Sequence, residues 1–385
     1  MKKLGFGLMR LPLLDADDPK SIDLETVKSM VDRFLERGFT YFDTAYAYHQ
    51  GMSEITARRA LVERHPRDSF LLADKMPAFL VKGPEDYPRI FAEQLEKCGV
   101  EYFDYYLLHN LGAKTFAESA RWGGFEFLMK MKREGCARHV GFSFHDTPEL
   151  LERILTEYPD MEFVQLQINY ADWENATIQS RRCYEVARAH GKPVIVMEPV
   201  KGGSLARVPE AAEAIFEACA SGHSPASWAV RYAASLEGVM MVLSGMSNPE
   251  QLEENTGFMA DFQPLSAAEQ EAVGRVAKIM NDSIAIACTG CAYCVDGCPK
   301  HIPIPKDFAL FNDQSRFRLM PSHTVYYNNL VAVSRTPAKK AEPSATININ
   351  DTNLPSCFLI FTIEFLNSNI TNQSPQQVLV LDFSL

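Results

Sequence analysis

Positive charge is in short supply. Lys and Arg total 38 against 49 Asp and Glu, a formal charge of −11, and the basic residues form no cluster. Neutralising phosphates takes grouped Lys and Arg, so no nucleic acid is expected as a partner. Long apolar runs are missing too. The nearest is Cys357 to Leu366, short of the ~20 residues a spanning helix needs and interrupted by Glu364, so no membrane partner is expected. Met1-Lys2-Lys3 followed by Leu4 to Leu14 imitates a secretory leader, but Gly5, Gly7, Arg10 and Pro12 break it and no small-residue cleavage site follows. A cytoplasmic protein is the expectation. No repeat is visible beyond an alternation of strands and helices, and no glycine-rich turn follows the first strand.

What is present suits a globular protein. Hydrophobic residues make up 46% and charged residues 23%, and 385 residues can hold one large α/β barrel with a smaller appendage. Of nine cysteines, Cys98, Cys136, Cys183 and Cys219 sit in helix-like or buried-looking contexts and read as reduced small hydrophobes.

Short apolar runs alternate with amphipathic stretches along the chain. Leu4 to Leu8 precedes a helix over Asp23 to Arg37, where Leu24, Val27, Met30, Val31, Phe34 and Leu35 recur at helical spacing and Gly38 ends the run. Strands follow at Phe39 to Asp43, Phe70 to Lys75, Tyr102 to His109, His139 to Ser143, Glu162 to Ile168, Pro193 to Met197 and Val239 to Ser244, each with helical sequence after it. Ser53 is the expected N-cap of the second helix, and Ser266 with Glu269 forms a capping box for a helix running to Met280. Eight strand-helix units in order predict a closed (β/α)8 barrel of the TIM type; a doubly wound open sheet is the alternative.

The stretch Gly38-Phe39-Thr40-Tyr41-Phe42-Asp43-Thr44-Ala45-Tyr46-Ala47-Tyr48 holds the first chemistry. Asp43 closes an apolar strand and Tyr48 follows five positions on. Lys75 and His109 close the third and fourth strands, so a parallel barrel brings all four residues to one mouth. A phenol near its ordinary pKa of ~10 donates a proton poorly, but an adjacent ammonium stabilises its phenolate and makes it a better acid. Asp43 would keep Lys75 charged, and His109 would position a substrate oxygen or share the proton. Each residue alone has an ordinary structural reading; their convergence is what points to carbonyl chemistry.

Phe42-Asp43-Thr44-Ala45-x-x-Tyr48, Ala73-Asp74-Lys75 and Asp104-Tyr105-Tyr106-Leu107-Leu108-His109 resemble the Asp, Tyr, Lys and His tetrad of the aldo-keto reductases, over the chain to about residue 262. The resemblance implies a carbonyl reductase using NADPH or NADH, with Tyr48 as general acid. It further implies that Ser143 and Gln165 hold the carboxamide, and that Glu254 and Asn255 hold the adenine. Gly202 and Gly203 suit close backbone approach to a pyrophosphate, and Ser244 and Gly245 close the eighth strand at the cofactor site. Three positions depart from the family. His145 follows Phe144 where an asparagine is common and is the expected amide contact. Met197 stands where a tyrosine often stacks. Gly245 and Gln251 replace the basic pair that commonly clamps a 2′-phosphate, which leaves NADPH against NADH open.

The second motif is Cys288, Cys291, Cys294 and Cys298-Pro299, the C-x2-C-x2-C-x3-C-P spacing of bacterial ferredoxins. One 4Fe-4S cluster is expected, with zinc as the rival. A subset of aldo-keto reductases resembles the chain in carrying a ferredoxin-like extension, and a second cysteine run is usual there. Here a Ser-, Thr- and Asn-rich tail follows instead. The expected organisation is a barrel over 1–262, a connecting helix over 263–287, a small ferredoxin-like cluster lobe over 288–332 and an atypical tail over 333–385. The expected substrate is a small aldehyde or ketone, with a ferredoxin-type protein as a candidate electron partner. A non-catalytic redox sensor or electron-transfer protein that binds nicotinamide is the alternative reading.

Overall fold

In a computed structural model of the chain, the described residues are 2–282, 286, 304–317 and 326, with side chains of 313–317 excepted. The calls on Cys288, Cys291, Cys294 and Cys298, and on the tail, lie outside them.

Eight parallel strands close into a barrel: β1 (Leu4–Gly7), β2 (Tyr41–Asp43), β3 (Leu71–Met76), β4 (Phe103–Leu111), β5 (Ala137–Phe144), β6 (Phe163–Gln167), β7 (Val194–Met197) and β8 (Val239–Ser244), with β8 pairing back onto β1. Closure rules out the open sheet. The surrounding helices include α1 (Leu24–Glu36), α2 (Met52–Ala57), α3 (Asp86–Cys98), α4 (Ala113–Arg121), α5 (Gly124–Arg133), α6 (Pro148–Glu157) and α7 (Ser180–Ala189). After β7 come α8 (Glu210–Cys219), α9 (Pro225–Ser235), α10 (Pro249–Met259), α11 (Ala267–Asp282) and α12 (Ile304–Phe317).

Local chemistry accounts for several boundaries. Asp23 accepts the Thr26 N–H at 3.1 Å to open α1, and Asn248 does the same for Gln251 at 2.9 Å in α10. Gly99 closes α3 with φ of 69°, in the left-handed region a Cβ disfavours. The Ser266–Glu269 capping box forms as the sequence predicts. Ser53 is a correction: it lies inside α2, where its hydroxyl donates to the Leu8 carbonyl at 3.0 Å and meets Thr44 Oγ1 at 2.8 Å. The helix it was expected to start is short and runs into a π turn over Arg58–Val62. Helix α4 has no counterpart in the sequence reading.

Period-two alternation sorts each strand into an inward and an outward set. Tyr41, Ala73, Tyr105, Leu107, Phe163 and Ile195 point inward and plug the barrel. Phe42, Leu72, Tyr106, Leu108 and Val164 point outward and join the larger core under the helices. Gly141 is fixed by close approach, because a Cβ there would lie 2.3 Å from the Phe163 carbonyl oxygen. A separate cluster packs Val273 and Val276 of α11 against Phe216 and Trp228, so the helix after the last barrel unit lies on the barrel helices. Trp228 is fully buried and stacks on Phe216 at 4.6 Å. Cys98 and Cys183 are buried thiols as expected, whereas Cys219 is exposed.

Candidate active site

One step above the plug, the same inward alternation delivers Asp43 after Tyr41, Lys75 after Ala73, His109 after Leu107 and Gln165 after Phe163. Asp43 and Lys75 are almost completely enclosed. The Lys75 ammonium donates to Asp43 Oδ1 at 2.5 Å and to the Thr44 carbonyl at 2.6 Å, and lies 4.6 Å from the centre of the Tyr48 ring. The His109 ring meets the Tyr48 ring edge-on at 6.0 Å. The four residues predicted to converge do so.

Burial alone would drive Lys75 toward its neutral form, but Asp43 and Tyr48 outweigh it and hold the lysine above its ordinary value. Asp43 is raised by burial, with Lys75 and then Gln165 working against it. His109 is held well below the ordinary imidazole range, first by burial and then by the Lys75 charge, so its ring is neutral. Its Nδ1 is buried with no hydrogen-bond partner among the described residues. Tyr48 departs from expectation. Lys75 does lower its pKa, but burial outweighs the lysine, and Asp43 and Glu198 add to the rise, so the phenol sits above its ordinary value.

The residues expected to hold a cofactor spread around the rim. Ser143 Oγ accepts the Asn110 N–H at 2.7 Å, and Gln165 Nε2 reaches Asp43 Oδ2 at 3.4 Å. His145 follows β5 in a buried position where its ring is held neutral, its pKa lowered to about 4 by burial. Met197 ends β7 half-buried, and Gly202 and Gly203 follow it with φ of 63° and 92°. Ser244 accepts the Asn255 side-chain amide at 2.9 Å, joining the end of β8 to α10. Gln251 and Glu254 are exposed on that helix, and Gln251 Oε1 accepts the Ser247 N–H at 2.7 Å. Gly245 packs on the Arg10 side chain.

Sequence reasoning missed an ion pair at this rim. Arg10 reaches Glu198 Oε1 at 2.9 Å, while Glu198 Oε2 accepts the Gly202 N–H at 2.7 Å. Nothing local marks it, since the pair joins the loops after β1 and β7. It also missed Phe79, an exposed ring 5.7 Å from His109 that gives the mouth an apolar wall. The signal was Phe79-Leu80, two large apolar residues after the third strand.

A model of the aldo/keto reductase family matches residues 3–278. The chain belongs to that family. The reductase is 26% identical over 265 residues to an uncharacterized oxidoreductase, C215.11c, of Schizosaccharomyces pombe, covering 66% of this chain and 80% of that one. It is 29% identical over 246 residues to an aldo-keto reductase of Mycolicibacterium smegmatis, covering 64% and 80%. Solved structures share the fold. The holo form of aldo-keto reductase AKR11C1 from Bacillus halodurans superposes with a TM-score of 0.59 at 23% identity, over 72% of this chain and 92% of that one. An aldo-keto reductase from Klebsiella pneumoniae in complex with NADPH gives 0.57 at 21% identity, over 71% and 90%. Among the described residues, no group of three or more His, Cys, Asp or Glu is placed to hold a metal ion, and no helix is long and apolar enough to cross a membrane.

Proposed function

We propose that the reductase converts an aldehyde or ketone to the alcohol with Tyr48 as general acid, Lys75 and Asp43 as the charged pair behind it, and His109 as the neutral group that orients the carbonyl oxygen. A reduced nicotinamide, when bound, supplies the hydride that the carbonyl carbon takes up. The carbonyl oxygen gains its proton from the Tyr48 hydroxyl, leaving a phenolate beside the Lys75 ammonium. That attraction is greatest as the proton leaves, so it acts on the transition state more than on the resting phenol. The raised resting pKa of Tyr48 is consistent with this, since a phenol protonated at neutral pH is ready to donate. A neutral His109 keeps one ring N–H to direct at the oxygen.

The observation that carries the reading is the Lys75 ammonium held between Asp43 Oδ1 at 2.5 Å and the Tyr48 ring at 4.6 Å. Tyr48→Phe removes the proton and keeps the ring. Carbonyl reduction should fall about 10²- to 10⁴-fold, the usual worth of a general acid, with cofactor binding retained. Activity that survives this change overturns the assignment.

The cofactor is NADPH or NADH, and the residues at the rim suit a dinucleotide. Ser143 and Gln165 bring a hydroxyl and an amide to the mouth, and exposed Gly202 and Gly203 allow close backbone approach. Bound NADPH in the Klebsiella relative is in keeping with this. Arg10, whose side chain packs on Gly245, is already paired with Glu198, which weakens it as a clamp for a 2′-phosphate at that point.

The ferredoxin-like lobe rests on spacing alone. Four thiolates at Cys288, Cys291, Cys294 and Cys298 are a donor set suited to one 4Fe-4S cluster, and a ferredoxin-type protein is the electron partner such a cluster would serve. The boundaries at 262, 287 and 332 are part of the same proposal. Free thiols and a cluster both suit the reducing cytoplasm.

A further inference from the structure

Asp74 stands between Ala73 and Lys75 on β3, so the alternation that sends those two inward turns Asp74 outward, beneath α2 and α3. It is fully buried there together with Glu54 of α2, and each carboxyl group alters the other's hold on a proton. Two neighbouring carboxylates offer only acceptors, so a hydrogen bond between them needs a proton on one of them. The neighbours decide which. Glu54 takes the Lys97 ammonium at 3.1 Å on Oε2 and the Gln94 side-chain amide at 3.1 Å on Oε1. Among the described residues Asp74 accepts the Lys75 backbone N–H at 2.8 Å and the Cys98 thiol at 3.7 Å, and no ammonium. Burial and then the Glu54 charge push Asp74 well above the carboxylate range, which places the proton on Asp74.

The pair also reaches the site. The Gln94 amide that binds Glu54 donates to the Lys75 carbonyl at 3.0 Å, and its oxygen accepts the Tyr106 hydroxyl at 2.6 Å, which fixes its orientation. The backbone N–H and C=O of Lys75 are therefore both held by side chains of one buried cluster, while the Lys75 side chain crosses to Asp43 on the other face of the sheet. Pairing between β2 and β3 ends at Asp43 with Ala73, so Lys75 stands beyond the last β2 rung and takes its neighbour Asp74 and the helix-borne Gln94 as partners.

We propose that Asp74 and Glu54 share one proton and, with Gln94, form a positioning cluster that sets where the Lys75 ammonium lies against Tyr48. The cluster rests on the reading of Lys75 as part of the catalytic group. The groups facing Asp74 are Glu54 from α2, Lys97 and Cys98 from α3, Tyr106 from β4 and Lys75 from its own strand. Removing the shared proton puts two negative charges behind Lys75, with Lys97 and Lys75 itself as counter-charges, and the strand end they hold shifts.

The test uses the full chain and three variants. Asp74→Asn keeps an acceptor for the Lys75 N–H and a donor for Glu54, Asp74→Leu keeps neither, and Gln94→Leu cuts the tie to the Lys75 carbonyl. At neutral pH the infrared spectrum should contain the C=O stretch of a protonated carboxyl that Asp74→Asn abolishes. Asp74→Asn should retain roughly 10- to 100-fold more kcat than Asp74→Leu, the scale of a small misplacement at a reacting centre, with nicotinamide Kd equal in both. The alkaline fall in kcat should move in Asp74→Asn. If Asp74→Leu does not fold, Gln94→Leu should lose kcat on the same scale with nicotinamide Kd unchanged. An unchanged infrared band in Asp74→Asn, equal kcat in the two Asp74 variants, or a folded Gln94→Leu with wild-type kcat each overturns the proposal. The band does not depend on turnover, so a Lys75→Met variant that keeps full kcat sinks the reading of the site while the band still tests the proton.

Discussion

Replacing Asp43 with asparagine probes the centre of the site through two readouts that should move in opposite directions. The Lys75 ammonium would keep the Thr44 carbonyl at 2.6 Å and lose its counter-charge at 2.5 Å. At an effective dielectric of ~20 that attraction is about 7 kcal/mol, part of which the wild-type protein spends on desolvating Asp43 itself. Breaking a buried pair from one side costs ~3–5 kcal/mol net. The variant can recover some of that loss by releasing the lysine proton, because burial opposes the ammonium and Asp43 is its leading counterweight. In the wild type the folded pKa of Lys75 lies above its ordinary value. Its contribution is therefore complete below about pH 10 and is lost only as pH rises through the folded value, leaving a flat profile at neutral pH. In the variant the folded pKa falls below the unfolded one. Between the two values the unfolded chain binds the extra proton, so stability climbs with pH by up to ~1.4 kcal/mol per unit. Catalysis should run the other way, since only the protonated lysine stabilises the Tyr48 phenolate, and kcat should recover as pH falls. Urea unfolding and kcat measured from about pH 6 to 9 decide the matter. A stability loss under about 1 kcal/mol, or stability and kcat profiles parallel to the wild type, refutes the reasoning.

Three other outcomes follow from named residues. Burial holds His145 at about 4 instead of 6.5, so the unfolded chain takes a proton first and His145 costs the fold stability as pH drops below about 6.5, up to ~3 kcal/mol by pH 4. His145→Gln should remove that part of the acid loss in urea unfolding; identical losses in both proteins contradict it. With Gly245 and Gln251 themselves uncharged, the dissociation constants of NADPH and NADH should lie within about tenfold of each other, and markedly tighter NADPH contradicts this. Anaerobically purified protein should carry iron and a brown absorption lost in a Cys291→Ser variant, whereas a colourless, iron-free preparation rules out the cluster.

The barrel and its tetrad were legible because both depend on local periodicity. Asp43, Lys75 and His109 each lie two residues beyond an inward plug residue, so strand parity alone carries them to one mouth. Ser53 read as a cap because helix-start chemistry is local, while its true partners, Leu8 and Thr44, come from other units. The Tyr48 acidity was misjudged for a related reason: a neighbouring ammonium can be inferred from strand order, but how much water the fold removes cannot. Arg10–Glu198 and Asp74–Glu54 are ion and proton pairs across units, and no spacing rule connects their members.

The hydrogen bonds that Ser143 and Gln165 already make bear on how they would receive a carboxamide. Ser143 Oγ accepts from the Asn110 N–H at 2.7 Å, a short bond that leaves the serine its O–H to donate. Gln165 spends one amide hydrogen on Asp43 at 3.4 Å, a long bond that little is lost by breaking, and its side-chain oxygen is an acceptor. The two therefore present one donor and one acceptor from adjacent strands, where Ser143 pairs with Gln165 in register. A carboxamide needs both, an N–H partner and a C=O partner, and a carboxylate in the same place would meet the Gln165 oxygen with no hydrogen to give it. The same Gln165 amide steadies Asp43, which steadies Lys75. Occupation of the amide position would thus be coupled through a single carboxylate to the Lys75 charge beside Tyr48.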